Sequence, residues 1–144
     1  MLLNQSSYFC PTRIVLGAES YKQIKGFVAE FGARRIFLAV DPALLEAAFA
    51  ADVLDMLRTT GAELDMFSEI EPDPTDTSVA GALEVSRKLG SELVVAIGGG
   101  STIDVAKAVA IVSTNGGRIH DYEGIEKFST PPLPLIAIPT TAGT

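Results

Sequence analysis

Two short runs of consecutive apolar residues constrain the fold of this chain more than any other feature of its sequence. Residues 36–40 and 93–97 are apolar at every position, without the alternation typical of a strand that has one wet face. Uninterrupted apolar runs of this length are typical of strands that are buried on both faces, as in a parallel sheet covered by helices. The sequence therefore predicts that these two runs lie inside such a sheet.

Segments with helical spacing lie between these runs and three weaker β-branched runs, residues 13–16, 64–67 and 135–138. The first predicted helix carries apolar residues at i, i+3, i+4 and i+7 and ends at a glycine: Ile24, Phe27, Val28, Phe31 and then Gly32. Further helices are predicted from Asp41, as N-cap, to Thr60, from the residue after 73–76 to Gly90, and from the residue after 98–101 to the residue before Asn115.

Strand and helix in repeated alternation predict an α/β fold, with a Rossmann-like, open, mostly parallel sheet and helices on both faces. Residues 7–9 and 13–16 are also compatible with a hairpin at the sheet edge. The chain has 144 residues, which is the size of one domain, and no linker or repeat divides it. We therefore expect a single domain over residues 1–144.

Composition excludes several classes of function. Eighteen acidic and 11 basic residues give a net charge of −7, which argues against a nucleic-acid groove or a polybasic membrane patch. No apolar stretch reaches the ~18 residues of a membrane helix. One cysteine excludes an intrachain disulfide and favours the cytoplasm. One histidine, His120, excludes any metal site that needs two histidines from this chain, and we expect it on the surface.

The sharpest chemical signal is a strand that enters Gly98-Gly99-Gly100-Ser101 and leaves as a helix. Glycines let a diphosphate approach backbone N–H groups closely, and a helix N-terminus adds donors and partial positive charge. The motif matches neither the usual dinucleotide fingerprint nor a P-loop. The alternative is a tight structural turn, with Ser101 as N-cap and Asp104 as its capping-box partner.

Two other groups of polar residues are expected at the same sheet edge. Asp41 follows a buried run, where a carboxylate can accept both hydroxyls of an adenosine ribose. On the residues alone, helix N-capping ahead of Pro42 is the preferred interpretation of Asp41. Thr140, Thr141 and Thr144 follow the last run, where their hydroxyls suit a phosphate or an adenine edge, or form only a polar loop.

Taken together, the two motifs resemble those of the iron-containing (group III) alcohol dehydrogenases. The resemblance rests on the pairing of Gly98-Gly99-Gly100-Ser101-x-x-Asp104-x-Ala106-Lys107 with Ile138-Pro139-Thr140-Thr141-Ala142-Gly143-Thr144. It spans the chain, but only the N-terminal half of such an enzyme. It implies an NAD(P)-binding domain whose partner domain, helical and C-terminal, holds a divalent metal, usually iron.

The resemblance also implies roles by position. Asp41 would hold the ribose and select NAD in preference to NADP, and Gly99, Gly100 and Ser101 would hold the pyrophosphate, with Gly98 shaping the turn. Thr140, Thr141 and Thr144 would line the adenine and phosphate side. No catalytic or metal-binding residue is expected in this chain, which by itself is expected to be inactive.

The full enzyme would interconvert a small alcohol and its aldehyde or ketone, as a homo-oligomer, without nucleic acid or membrane. Two alternatives stay open at this point. One is a stand-alone, non-catalytic nucleotide- or phosphate-binding module. The other is the related domain of a glycerol or polyol dehydrogenase.

Overall fold

Four parallel strands alternate with helices in the computed structural model, which describes residues 10–124 and 127–142. The strands are β1 (Arg35–Val40), β2 (Glu63–Phe67), β3 (Leu93–Gly98) and β4 (Leu135–Pro139). The helices are α1 (Ile24–Phe31), α2 (Ala48–Arg58), α3 (Asp76–Leu89) and α4 (Gly100–Asn115). Short 3-10 turns cover Ser20–Gln23, Pro42–Leu44 and Ile119–Tyr122.

The strands are ordered β2-β1-β3-β4, and every neighbouring pair is parallel. The two fully apolar runs form the two inner strands, β1 and β3, as predicted. In the register of this pair, Ile36 lies opposite Leu93 and Val40 opposite Ile97. Within the described residues, β2 and β4 lie at the edges and are only partly buried.

Alternate side chains of β1 enter two separate cores, which explains why the run has no polar position. Ile36, Leu38 and Val40 pack with residues of α1 and α2 on one face of the sheet. Phe37 and Ala39 pack with residues of α3 and α4 on the other face. Each β1 residue from 36 to 40 is at most 1% exposed, so the predicted covering of both faces is confirmed.

Glycines end two of the helices as predicted. Gly32 and Gly90 follow α1 and α3 with φ values of 63° and 68°, a left-handed conformation that residues with a side chain rarely adopt. At the other end of α3, the hydroxyl of Thr75 accepts a hydrogen bond from the backbone N–H of Ser78 at 3.4 Å.

The predicted start of α2 at Asp41 is wrong. The Asp41 carboxylate does act as a cap, because Oδ1 accepts a hydrogen bond from the backbone N–H of Ala43 at 2.9 Å. It caps the 3-10 turn Pro42–Leu44, and α2 begins only at Ala48. The prediction was therefore right about the capping role of Asp41 and wrong about the element that it caps.

The proposed edge hairpin is not found in the described residues. Residues 13–16 form no strand, and residues 7–9 lie outside the part of the chain that the structure describes. Arg13 instead pairs with Glu30 of α1 at 2.9 Å, and its guanidinium lies 5.4 Å from the ring centroid of Phe27. These contacts hold Arg13 against α1.

Within the ranges described, no helix is long and apolar enough to span a lipid bilayer.

Candidate functional site

The site lies where the chain leaves the two inner strands toward opposite faces of the sheet. β1 continues to α2, which packs on one face, and β3 continues to α4, which packs on the other. Such a reversal opens a crevice at the carboxyl ends of the two strands, where doubly wound α/β proteins bind their ligands. Asp41 and Gly98 lie next to each other at this point.

Gly98 lies in close contact with two other segments of the chain. A side-chain carbon placed on Gly98 would lie 2.7 Å from Cβ of Thr102 and 2.9 Å from Cβ of Asp41, both impossibly close. The backbone N–H of Asp41 donates a hydrogen bond to the carbonyl of Ile97 at 2.9 Å. Only a glycine therefore lets the end of β1 and the first turn of α4 meet here.

The loop after β4 lies beside the same glycines. The backbone N–H of Thr140 donates to the carbonyl of Gly98 at 3.0 Å. A side-chain carbon placed on Gly99 would lie 3.2 Å from Cγ2 of Thr141 and 3.4 Å from its Oγ1. The structure thus brings the triple-glycine turn and the threonine loop side by side. Thr144, the third predicted threonine, lies outside the described residues.

The first turn of α4 has no side-chain cap. Its N-cap is Gly99, the helix begins at Gly100, and Ser101 is already helical. The alternative in which Ser101 is the N-cap and Asp104 its capping-box partner is therefore wrong. Asp104 pairs instead with Lys107 at 3.2 Å. An uncapped helix start presents backbone N–H donors and partial positive charge, which suit an anion.

Space for such an anion exists at the helix start. A side-chain carbon placed on Gly100 would meet no atom within 4 Å. Gly98 and Gly99 are buried, whereas Gly100 is exposed and Ser101 half-buried. The turn is therefore closed at Gly98 and Gly99 and open toward solvent at Gly100.

The Asp41 carboxylate uses only one of its two oxygens as a cap. Oδ1 caps the 3-10 turn through Ala43, and the side chain stays half-buried beside Gly98. The carboxylate has a second oxygen, Oδ2, which the capping contact does not use. The cap fixes the orientation of the side chain, so N-capping and ligand binding are compatible here.

Thr102 is a residue at this site that sequence reasoning missed. Its side chain is only 1% exposed and packs behind Gly98. A signal for its burial was present, because Thr102, Val105, Ala106 and Val109 recur at i, i+3, i+4 and i+7.

Two further polar residues, His120 and Asp73, lie near the start of α3. His120 is exposed, as predicted, and its Nε2 lies 2.6 Å from Oδ2 of Asp76 at the start of α3. Asp73 lies in the turn before α3 with a φ of 54°, a conformation that aspartate tolerates better than most residues.

No group of three or more histidine, cysteine, aspartate or glutamate side chains that could hold a metal occurs in residues 10–124 and 127–142. Two shallow grooves of about 360 and 380 Å³ lie elsewhere, one between β2 and α2 and one beside α1. Neither includes Asp41 or the glycine turn. We therefore assign the site from the polar side chains and backbone N–H groups at the carboxyl ends of the strands, and not from a cavity.

Strand order, the reversal between β1 and β3 and the glycine turn at that point define a doubly wound α/β domain. The profile of the iron-containing alcohol dehydrogenases matches residues 11–144. The chain therefore belongs to the iron-containing alcohol dehydrogenase family.

Named relatives agree with this assignment. The chain is 34% identical over 139 residues to the NAD-dependent methanol dehydrogenase of Bacillus methanolicus, covering 96% of this chain and 36% of that enzyme. NADH-dependent butanol dehydrogenase A of Thermotoga maritima matches with a TM-score of 0.86 and 30% identity, over 97% of this chain and 35% of the other.

Sulfoacetaldehyde reductase from Bifidobacterium kashiwanohense, in complex with NAD+, matches with a TM-score of 0.83 and 32% identity over 96% of this chain and 36% of the other. The chain thus spans about a third of the length of the relatives that it matches.

Proposed function

We propose that this chain is the NAD-binding domain of a metal-dependent dehydrogenase that interconverts a small alcohol and its aldehyde or ketone by hydride transfer. The observation that carries the proposal is the convergence of Asp41, the Gly98–Gly99 turn and the Thr140–Thr141 loop at one point of the sheet edge. Membership of the family and the NAD+ complex of a relative with the same fold support it.

The pyrophosphate would bind at the start of α4. Backbone N–H groups of Gly99, Gly100 and Ser101 would donate to its oxygens, and the Ser101 hydroxyl would add one more donor. Gly98 would shape the turn, because the space it leaves lets the strand end and the helix start approach each other. Thr140, Thr141 and Thr144 would line the adenine and phosphate side.

The ribose would bind at Asp41, through Oδ2, the carboxylate oxygen that does not accept the capping hydrogen bond from Ala43. Two ribose hydroxyls can donate to a carboxylate, whereas a 2′-phosphate at the same place is repelled by its charge. We therefore propose NAD as the cofactor in preference to NADP. When bound, the nicotinamide supplies the hydride chemistry.

The metal is proposed to be held outside this chain. The described residues offer no set of three ligands, and the sequence has one histidine. The role proposed for the chain is therefore to bind and orient the cofactor, and turnover requires a metal-binding domain. We also propose that the full enzyme is a homo-oligomer in the cytoplasm.

Calorimetric titration of the chain with NAD+, NADP+ and inorganic pyrophosphate tests the proposal. We expect NAD+ to bind more tightly than NADP+, and pyrophosphate to compete with both. Asp41→Ser should narrow or reverse the preference for NAD+, because it removes the repulsion of the 2′-phosphate. Asp55→Ser removes an exposed carboxylate of α2 and should leave the preference unchanged.

Equal binding ratios in wild type and Asp41→Ser would count against the ribose role. Binding of pyrophosphate without any binding of NAD+ would favour the phosphate-binding module. A protein that binds neither would contradict both functions.

A further inference from the structure

We infer that Thr102 is a positioning residue, which sets the place of Asp41 and Thr140 through their shared contact with Gly98 and thereby the preference for NAD over NADP. The first observation is its position. Thr102 lies behind Gly98 and Asp41 lies beside it, so that one added carbon on Gly98 would collide with both.

The second observation is that Gly98 connects three segments. A carbon placed on it would meet Thr102 at the start of α4 and Asp41 after β1, and its carbonyl accepts a hydrogen bond from the N–H of Thr140 after β4. A displacement of Gly98 is therefore passed to both polar groups that face the crevice. Thr102 is the buried side chain against which Gly98 rests.

The third observation is that Thr102 has little freedom to move. It is 1% exposed, and it stands in a helix, where a β-branched side chain has few rotamers. Its neighbours Val105 and Ala106, one turn further along α4, are fully buried. The branch of Thr102 meets the glycine turn through Oγ1, the atom nearest to a carbon placed on Gly98, and we infer that the space this branch fills determines where the turn lies.

The specificity part of this inference rests on the proposed function, whereas the positioning part does not. Thr102→Ala removes the branch and leaves space behind Gly98, into which the turn can relax. Thr102→Val keeps the branched shape and loses only the hydroxyl. Val112→Ala removes a buried branch further along the same helix and serves as the matched control.

Titration with NAD+ and NADP+ measures the specificity part. We expect Thr102→Ala to lower the ratio of NADP+ to NAD+ dissociation constants about fivefold, and Thr102→Val to restore it. Val112→Ala should lower the melting temperature without changing the ratio. A ratio that Thr102→Ala leaves unchanged would overturn the specificity role.

Backbone amide signals in the ligand-free protein measure the positioning part. In Thr102→Ala, the ¹H–¹⁵N signals of Asp41 and Thr140 should move, whereas in Thr102→Val and Val112→Ala they should stay near their wild-type positions. If both signals stay in place in Thr102→Ala, Thr102 does not position these residues. A wild-type chain without affinity for NAD+ would remove the specificity part together with the proposed function, and the amide signals would still decide the positioning part.

Discussion

Glu92 accepts a hydrogen bond from the guanidinium of Arg35 at 2.7 Å, which joins the start of β3 to the start of β1. The same carboxylate accepts hydrogen bonds from the backbone N–H groups of Arg34 and Arg35, at 2.7 and 3.2 Å. These contacts lie where β1 and β3 begin, at the opposite end of the strands from the glycine turn. They align the two inner strands at their beginnings.

The pKa of Glu92 lies below its ordinary value of 4.5, chiefly because the backbone N–H of Arg34 donates to the ionised carboxylate. A group whose pKa is lowered by folding contributes stability above its unfolded pKa, and this contribution is lost as the pH falls through the folded pKa. Glu92→Gln should therefore be less stable than wild type at neutral pH, and the difference in stability should shrink as the pH falls below the ordinary pKa and vanish below the lowered pKa of the folded protein. Urea denaturation at neutral pH and at a pH below the lowered pKa of Glu92 measures this difference in stability.

Glu84→Gln, an exposed carboxylate of α3, is the control for Glu92. It should leave stability nearly unchanged at both pH values. A loss of stability in Glu92→Gln that persists unchanged in acid would show that the charge of Glu92 is not responsible.

An added methyl group should destabilise the chain at Gly98 but not at Gly100. Gly98→Ala forces a carbon between Thr102 and Asp41, and overpacking of this kind costs about 1–3 kcal/mol. Gly100→Ala meets no atom within 4 Å, so it should not destabilise the chain. Thermal unfolding of the two variants compares them directly. Equal losses of stability would contradict the crowding at Gly98.

Thr75 should stabilise the start of α3 through its side chain. Its hydroxyl accepts from the N–H of Ser78, and loss of such a cap costs about 1 kcal/mol. Thr75→Ala should lower the free energy of unfolding by that amount, as measured in urea. Thr77→Ala, inside the same first turn, should change it by less, and the reverse order would contradict the cap.

Asn115 should hold the loop that precedes β4. Its side-chain amide donates to the carbonyl of Thr130 at 2.9 Å and accepts from the N–H of Thr130 at 3.0 Å. Asn115→Ala removes both bonds, each of which contributes about 1 kcal/mol. Hydrogen exchange at the Thr130 amide should become faster in this variant, while exchange in β1 stays slow. Unchanged exchange at Thr130 would contradict the role of the side chain.

The parts of the fold that follow from local rules were predictable from the sequence. The inner strands follow from uninterrupted apolar residues, and the ends of α1 and α3 follow from Gly32 and Gly90. The start of α2 was not predictable from such local rules, because the capping residue Asp41 begins a 3-10 turn and not the α-helix. The same residue pattern suits either outcome, and packing decides between them.

The site was predictable in its residue types and only partly in its arrangement. Asp41, the glycine turn and the threonine loop were each expected after a strand, and parallel strands bring such ends to one edge. The order of the strands and the crowding around Gly98 depend on contacts between distant segments. Thr102 shows this limit of sequence-based prediction. Its close approach to Gly98, four positions earlier, is possible only because that glycine has no side chain.

The pairing of β1 with β3 has a consequence for any ligand that bridges them. Neighbouring strands in every sheet are about 4.8 Å apart, a distance fixed by backbone hydrogen bonds and independent of the side chains. The N–H of Asp41 continues this ladder to the carbonyl of Ile97, the residue before the glycine turn. Backbone pairing thus sets the spacing of the two strand ends at folding, before a ligand arrives, and the contacts around Gly98 place the carboxylate within that spacing.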